Sequence, residues 1–487
     1  MQTLVDILLQ SAQGAPEKQA VVDPGGTWTF REVYGAALSV AAQVAAATDA
    51  PRVGLLLPSG RGFAAGFFGA LLAGRTPVPL NLALSPAELA FCMSDAGLDC
   101  LLTVTPLADQ AAALGGRVVL VDGPGPPPAD APSSPEWTPD DAAVILYTSG
   151  TTARPKGVVL THANLLANAG AGIEALALRP DHVVLGLLPL FHSFGLTCSL
   201  VIPVVLGATS ILVPRFQPTT VVDLLRAHRP SAIFAIAGMY GALLRTGALA
   251  AIDVSSLEFC VAGGEALPAQ VREAFEAQTG TPLLEGYGLT ETSPVVSVNR
   301  PDALRPGTAG HPLPGVRLRI VDADGRDVPP GAEGEVWVAG PGVMRGYHDR
   351  PDETAAVLTD DGWLRTGDLG RLDDTGALAI TGRLKDLIIC GGENIAPREI
   401  EDVLDQHPGV AEVAVIGVPD GVRGEAPKAF VVAREASDLS AADLGAFCRE
   451  RLAGFKVPRQ FAFLPELPKG PTGKVHRRAL REQDRDA

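Results

Sequence analysis

Lysine is scarce in this chain. Of 487 residues only seven are lysine, against 39 lysines and arginines together, and four of the seven (Lys156, Lys385, Lys469, Lys474) fall in the motifs described below. Positive charge is in deficit overall: 55 acidic residues give a formal net charge of −16. That balance argues against nucleic acid or an anionic membrane surface as a partner. Any polyanion would have to be bound through local devices, such as glycine-rich backbone donors, a few fixed cations or a metal ion. The six cysteines (Cys92, Cys100, Cys198, Cys260, Cys390, Cys448) are scattered, with no C-x-x-C pair and no ligand-spaced histidines. They read as small buried hydrophobes in a reducing, cytoplasmic compartment, not as disulfides or a zinc site. The opening Met1-Gln-Thr-Leu-Val-Asp6 carries an acid and no basic n-region, so no signal peptide is expected. Residues 183–214 contain no Asp, Glu, Lys or Arg, but Pro189, His192, Gly195, Pro203 and Gly207 interrupt them. Buried strands and a short core helix are expected there, and no integral membrane segment.

The length predicts two or more domains. Residues 1–120 alternate helical patterns with short apolar runs such as Val53-Gly-Leu-Leu-Leu-Pro58, the rhythm of a layered α/β domain with a largely parallel sheet. Residues 123–141 are Pro-rich and read as an exposed connection. The α/β alternation resumes to about residue 300. Between Gly307 and Ile380 the pattern changes to short strands with turn signals (Asp324-Gly325, Glu333-Gly334, Thr375-Gly376), which predicts a small antiparallel barrel. A βαβ-like tail follows Gly382. The expected architecture is a large N-terminal domain, residues 1–384, of layered α/β subdomains plus a small β-barrel. It is hinged to a small α+β C-terminal domain, residues 385–487.

The most informative stretch is Leu146-Tyr-Thr-Ser-Gly-Thr-Thr-Ala-Arg-Pro-Lys-Gly-Val158, between a strand-like run and a helix-like one. Its four hydroxyls (Thr148, Ser149, Thr151, Thr152), with Gly150 and Lys156, can wrap N–H and O–H donors around phosphate oxygens. The spacing is not that of a Walker A loop.

This stretch resembles the phosphate loop of the adenylate-forming superfamily, which includes acyl-CoA synthetases, peptide-synthetase adenylation domains and beetle luciferases. Further stretches agree in order. Gly286-Tyr-Gly-Leu-Thr-Glu-Thr292 resembles the adenine and metal motif, and Arg365-Thr-Gly-Asp368 the ribose motif. Gly382-Arg-Leu-Lys-Asp-Leu-Ile388 with Gly391-Gly-Glu-Asn-Ile-Ala-Pro397 resembles the hinge and the loop after it. Pro471-Thr-Gly-Lys474 resembles the late catalytic-lysine motif. The resemblance covers nearly the whole chain. Two departures stand out: Ala153 replaces a usual loop glycine, and Leu378 and Ala379 stand where a tyrosine-containing pattern precedes the hinge.

The resemblance implies that ATP activates a carboxylic acid as acyl-AMP, and that the acyl group then passes to a thiol. Lys474 would bridge the carboxylate and the α-phosphate, a task that suits a mobile point charge. Glu291 and Thr148 would hold Mg²⁺ beside the phosphates. Asp368 and Arg383 would hold the ribose, Tyr287 would lie against adenine, and Gly264, Glu265, Gly286, Gly288 and Thr290 would complete the nucleotide site. Lys385 would be the hinge; Gly391, Gly392 and Glu393 would line a coenzyme A channel.

Coenzyme A is the expected thiol, because Gly-Gly-Glu-Asn-Ile resembles CoA ligases and no carrier-protein domain follows. Loading of an acyl carrier protein and a luciferase-like oxygenase remain as alternatives. For the acid, Leu190-Phe-His-Ser-Phe-Gly195, Ala237-Gly-Met-Tyr240 and Val261-Ala-Gly-Gly-Glu265 are the expected walls, with His192 beside the carboxylate. Malonate-activating relatives carry an arginine where this chain has Gly286, and a second carboxylate here would lie unpaired. A monocarboxylate with an apolar body, an aliphatic chain ahead of an aryl ring, is therefore expected. Pro468-Lys-Gly-Pro-Thr-Gly-Lys474 also resembles the context in which bacterial acyl-CoA synthetases are acetylated, which implies a lysine acetyltransferase as a further partner.

Overall fold

The structure, a computed structural model, describes residues 2–122, 135–148, 155–390, 393–421, 424–434, 437, 439–470 and 475–485. The chain forms two compact units. The larger comprises Met1–Leu267, Val271–Arg317 and Val338–Leu364; the smaller comprises Pro268–Gln270, Leu318–Trp337 and Arg365–Ala487.

Among the described residues, three sheets make the larger unit. In the nine-stranded sheet, parallel strands Leu283–Gly288, Phe259–Gly263, Ala232–Ala235, Val183–Gly186, Thr209–Leu212 and Gln19–Asp23 run side by side, with antiparallel strands at both margins. A second sheet pairs four parallel strands, Thr76–Pro79, Arg52–Leu56, Cys100–Thr103 and Arg117–Leu120. The third is an antiparallel hairpin, Ala142–Thr148 with Lys156–Thr161, edged by Gly346–Tyr347. Between the layers the helices Phe30–Ala47 and Arg61–Leu72 bury Val33, Ala37, Val40, Phe63, Phe67 and Phe68. Short side chains on one helix let the aromatic rings of the other fill the layer, as close packing requires. Thr3, Thr29, Ser85 and Thr161 each start a helix with a capping box, which satisfies donors that the first turn leaves free.

The charge-free stretch 183–214 is folded into this core. It forms two buried parallel strands joined by the short helix Ser193–Leu196, a π-helical turn Thr197–Val201 and the helix Ile202–Leu206. Among the described residues no helix is long and apolar enough to cross a membrane. All six cysteines are buried and free.

In the smaller unit, Arg317–Val321, Gly334–Ala339, Leu364–Leu372 and Leu378–Arg383 form a four-stranded sheet, in which the last two strands pair antiparallel. A five-stranded sheet is built on the long hairpin Val410–Asp420 with Gly424–Ala433. The helices Pro397–Leu404 and Ala441–Arg449 close one core over it, around Ile388, Ile400, Val415 and Leu444.

Candidate active site

The described ends of the phosphate-loop motif lie on the two paired strands Ala142–Thr148 and Lys156–Thr161 of the larger unit. Thr148 ends one strand and lies opposite Lys156, which begins the next. Ser149, Gly150, Thr151 and Thr152 lie outside the described residues. The return strand is pressed close: a Cβ at Gly157 would stand 2.8 Å from Ile145 and 3.2 Å from the Cβ of His348. A side chain there would force the Ile145 and His348 side chains to shift.

Lys156 is largely buried. Its ammonium pairs with the carboxylate of Glu353 and lies 5.2 Å from the ring centre of Tyr347. The Tyr347 hydroxyl donates to Oε1 of Glu291 at 2.9 Å. Burial, reinforced by the neighbouring Glu291 charge, pushes the phenol well above its ordinary range, so the hydroxyl remains a donor at any physiological pH. Glu291 itself sits in a single 3₁₀ turn, Thr290–Thr292, directly after the strand Leu283–Gly288. Two contacts lock that turn. Thr292 Oγ1 accepts from Leu289 N at 3.1 Å, and a Cβ at Gly288 would fall 2.1 Å from the Pro294 carbonyl oxygen. Thr290 Oγ1 and Ser193 Oγ lie 3.2 Å apart, which brings the His192 segment against the same turn.

His192 caps the short helix Ser193–Leu196, its ring 4.6 Å from that of Phe191. The half-buried Phe194 ring covers the end of the strand Phe259–Gly263, where a Cβ at Gly263 would be 2.9 Å from Cε1 of the ring. These residues stand at the carboxyl ends of parallel strands, where open α/β sheets bind ligands. Gly264 follows in the left-handed region at φ +82°. Glu265 Oε1 accepts from Gly238 N at 2.7 Å, supplying an anion to the start of the helix Ala237–Arg245. Gly286 pairs with Gly263 and Tyr287 with Ser297 in the sheet. Tyr240, expected on the acid wall, lies in the hydrophobic core. It is fully buried, its hydroxyl donating to the carbonyls of Ile233 and Val261 at 3.0 Å, its ring edge-on to Phe275.

In the smaller unit Asp368 and Arg383 face each other across two strands, Nε to Oδ1 at 2.6 Å, with the Asp368 side chain only 2% exposed. The turn before Asp368 is set by Glu335, whose carboxylate accepts from Gly367 N at 3.0 Å and from Trp337 Nε1 at 2.8 Å. Lys385 lies in the 3₁₀ turn Leu384–Asp386; desolvation, then repulsion from Arg383, lowers its pKa. Glu393 is exposed in a hairpin opposite Cys390. Gly391, Gly392 and Lys474 lie outside the described residues.

Mg²⁺ fits the donor chemistry of two of these residues: a carboxylate at Glu291 and a hydroxyl at Thr148 are hard oxygen ligands. Among the described residues no three His, Cys, Asp or Glu side chains gather to hold a metal ion by themselves. Such an ion would share its shell with nucleotide phosphates, as Mg²⁺ commonly does.

The AMP-binding enzyme family matches residues 8–348, and its C-terminal domain matches residues 399–474. This chain belongs to the AMP-binding enzyme family. Its relatives include a long-chain-fatty-acid–CoA ligase of Bacillus subtilis, 36% identical over 99% of this chain and 94% of that one. A sulfoacetate–CoA ligase of Cupriavidus necator is also 36% identical, over 98% and 97%. Among solved structures, ATP-bound MatB from Rhodopseudomonas palustris superposes with a TM-score of 0.92 at 32% identity, covering 99% of both chains. The chain is an AMP-forming acid–thiol ligase of the acyl-CoA synthetase type.

Sequence reasoning did not find Tyr347, Glu353 or Glu335. The motif residues it did find are drawn together in two groups: Thr148, Lys156, Glu291, Thr290 and the His192 segment in the larger unit, Asp368 and Arg383 in the smaller.

Proposed function

We propose that this chain joins a monocarboxylic acid with an apolar body to coenzyme A in two steps. In the first, a carboxylate oxygen attacks the α-phosphorus of ATP, and the bond to pyrophosphate breaks to leave acyl-AMP. In the second, the thiol of coenzyme A loses its proton and attacks the acyl carbon; AMP leaves and a thioester remains. Neither step needs a protein nucleophile, so the protein's task is to place charge. The observation that carries this reading is the pairing of Lys156 and Glu291 on one tyrosine: a cation for phosphate and a carboxylate for a metal ion share a single support.

In this reading Lys156 and the hydroxyls beside it hold the β- and γ-phosphates, and Asp368 and Arg383 hold the ribose. His192 and Phe194 line the acid, and Lys474 serves the first step. Bound Mg²⁺ would supply charge neutralisation of the phosphates. Lys385 is the hinge between domains 1–384 and 385–487, and Gly391, Gly392 and Glu393 line the coenzyme A channel. The relatives' acids differ too much to assign one by likeness: a fatty acid is apolar and sulfoacetate is a dianion. The apolar acid rests instead on Gly286, which offers no cation, and on the Phe194 face. Coenzyme A is favoured over an acyl carrier protein because the relatives are named as CoA ligases. Acetylation of Lys474 by a lysine acetyltransferase would remove the charge that the first step uses, in a cytoplasmic setting.

The test is a screen of carboxylic acids for acid-dependent ATP–pyrophosphate exchange, followed by thioester formation with coenzyme A or with an acyl carrier protein. Exchange with fatty monocarboxylates and thioester with coenzyme A are expected. Exchange with none, or thioester only on the carrier protein, overturns the reading.

A further inference from the structure

Lys156 closely follows the hydroxyl-rich stretch in the sequence, yet it is not held ready by solvent. Its side chain is 19% exposed and its ammonium is paired with Oε2 of Glu353, in the first turn of the helix Pro351–Val357. A largely buried ammonium needs such a counter-charge. The other oxygen of Glu353, Oε1, lies 3.5 Å from Arg350 Nε. Arg350 is anchored in turn: its Nη2 meets Asp95 Oδ1 at 2.5 Å, and Asp95 Oδ2 accepts from the Tyr147 hydroxyl at 2.7 Å. Two cations thus alternate with two carboxylates, and the Tyr347 ring lies beside the Lys156 end of the row.

We infer that Glu353 is a resting counter-ion for Lys156, occupying it until the polyphosphate of ATP takes its place. The arrangement makes that exchange inexpensive in charge. When Lys156 turns along the Tyr347 face towards phosphate, the Glu353 carboxylate, whose side chain is 38% exposed, keeps Arg350, so it is not left without a partner. A flexible four-carbon stem with a point charge suits a group that must change partners, where a planar guanidinium would be held in a fixed fork. Glu353 therefore competes with ATP for one ammonium. It is a positioning residue that weakens nucleotide binding in order to hold the lysine in place, and it eases release of pyrophosphate after the first step by offering the lysine a partner again. This inference rests on the proposed use of Lys156 for phosphate.

The test is calorimetric titration of the full-length protein with MgATP and with magnesium pyrophosphate. Glu353→Gln keeps shape and removes the charge; both ligands should bind about threefold to fivefold more tightly, the scale of a partly exposed ion pair. Glu353→Asp, which keeps the charge, should return affinity towards that of the unaltered protein. In a Lys156→Met background the Glu353→Gln change should have no effect on affinity, because the coupling runs through that ammonium. Unchanged or weaker binding by Glu353→Gln overturns the inference, as does a gain that persists without Lys156. Failure of the unaltered protein to bind MgATP at all would overturn the proposed function with it, so the two failures read differently.

Discussion

Tyr347 touches two of the groups on which nucleotide chemistry would depend: its hydroxyl donates to Glu291 at 2.9 Å, and its ring centre lies 5.2 Å from the Lys156 ammonium. Tyr347→Phe separates these contacts, keeping the ring and removing the donor. A hydrogen bond to a charged group contributes about 1.5–3 kcal/mol, so the orientation of Glu291 should loosen accordingly. The Mg²⁺ concentration for half-maximal pyrophosphate exchange should rise by about tenfold while the KM for the acid stays within about twofold. An unaltered metal dependence would remove Tyr347 from this role.

Asp368 offers a second test, on the smaller unit. Its carboxylate is almost fully buried and Arg383 is about half exposed, so the aspartate depends on that guanidinium more than the reverse. Asp368→Asn should raise the KM for ATP by about tenfold, through lost charge-assisted hydrogen bonds. Arg383→Lys keeps the charge but loses the fork, and should lose part of the affinity. Equal ATP affinity in all three proteins would sink the ribose assignment.

Glycines were legible in the sequence because they act through the backbone. Gly157 and Gly288 are forced by atoms within a few residues or on the paired strand, and local chemistry is what a sequence displays. Tyr347 was illegible for the opposite reason: its partner Glu291 is 56 positions away, and a Gly-Tyr pair on a two-residue strand carries no signal of its own. Glu335 is hidden in the same way, 32 positions from Gly367. Tyr240 was misplaced because a tyrosine at a helix start does not reveal which face it takes; here burying its ring on Phe275 and satisfying its hydroxyl twice outweighs facing a ligand. The interrupted apolar stretch 183–214 was readable as strand, short helix and strand, but uniform apolarity concealed the π-helical turn Thr197–Val201.

Acid sensitivity should follow His162. This imidazole is fully buried against Trp137, and its Nδ1 accepts from Leu4 N at 3.2 Å, tying the first helix to the core. Burial lowers its pKa from 6.5 to about 4, opposed by the charges of Asp141 and Asp6. The unfolded chain therefore binds more protons between those two values, and stability must fall as the pH is lowered through them. The contribution is whole above pH 6.5 and amounts to roughly 3 kcal/mol lost by pH 4. Urea unfolding between pH 4 and 8 should show this slope, and His162→Gln should flatten it. A slope that survives the substitution would place the sensitivity elsewhere.

Gly288→Ala tests whether the Glu291 turn is set by backbone contact. The new Cβ would lie 2.1 Å from the Pro294 carbonyl oxygen, so backbone on one side must move. A shift near 1 Å at a charge-placing group costs about a hundredfold in rate. Pyrophosphate exchange should drop on that scale while circular dichroism remains that of the folded protein. Retained exchange would mean that the turn adapts and that Glu291 is not held by this contact.

The last expectation separates the two half-reactions. If Lys474 serves only the attack of carboxylate on the α-phosphorus, its charge is needed while pyrophosphate departs and not when the thiol attacks the acyl carbon. Lys474→Ala should lower acid-dependent pyrophosphate exchange by about a hundredfold or more, a few kcal/mol at the transition state. The same variant, given a synthetic acyl-adenylate and coenzyme A, should make thioester at close to the unaltered rate. If Lys385 is the hinge, Lys385→Pro should show the reverse pattern, because fixing φ near −65° there would block a rotation needed after the adenylate has formed. Opposite losses in the two variants would establish that one chain uses two arrangements in turn. Parallel losses in both assays would mean that Lys474 and Lys385 serve a single arrangement, and the two-step division of labour would have to be abandoned.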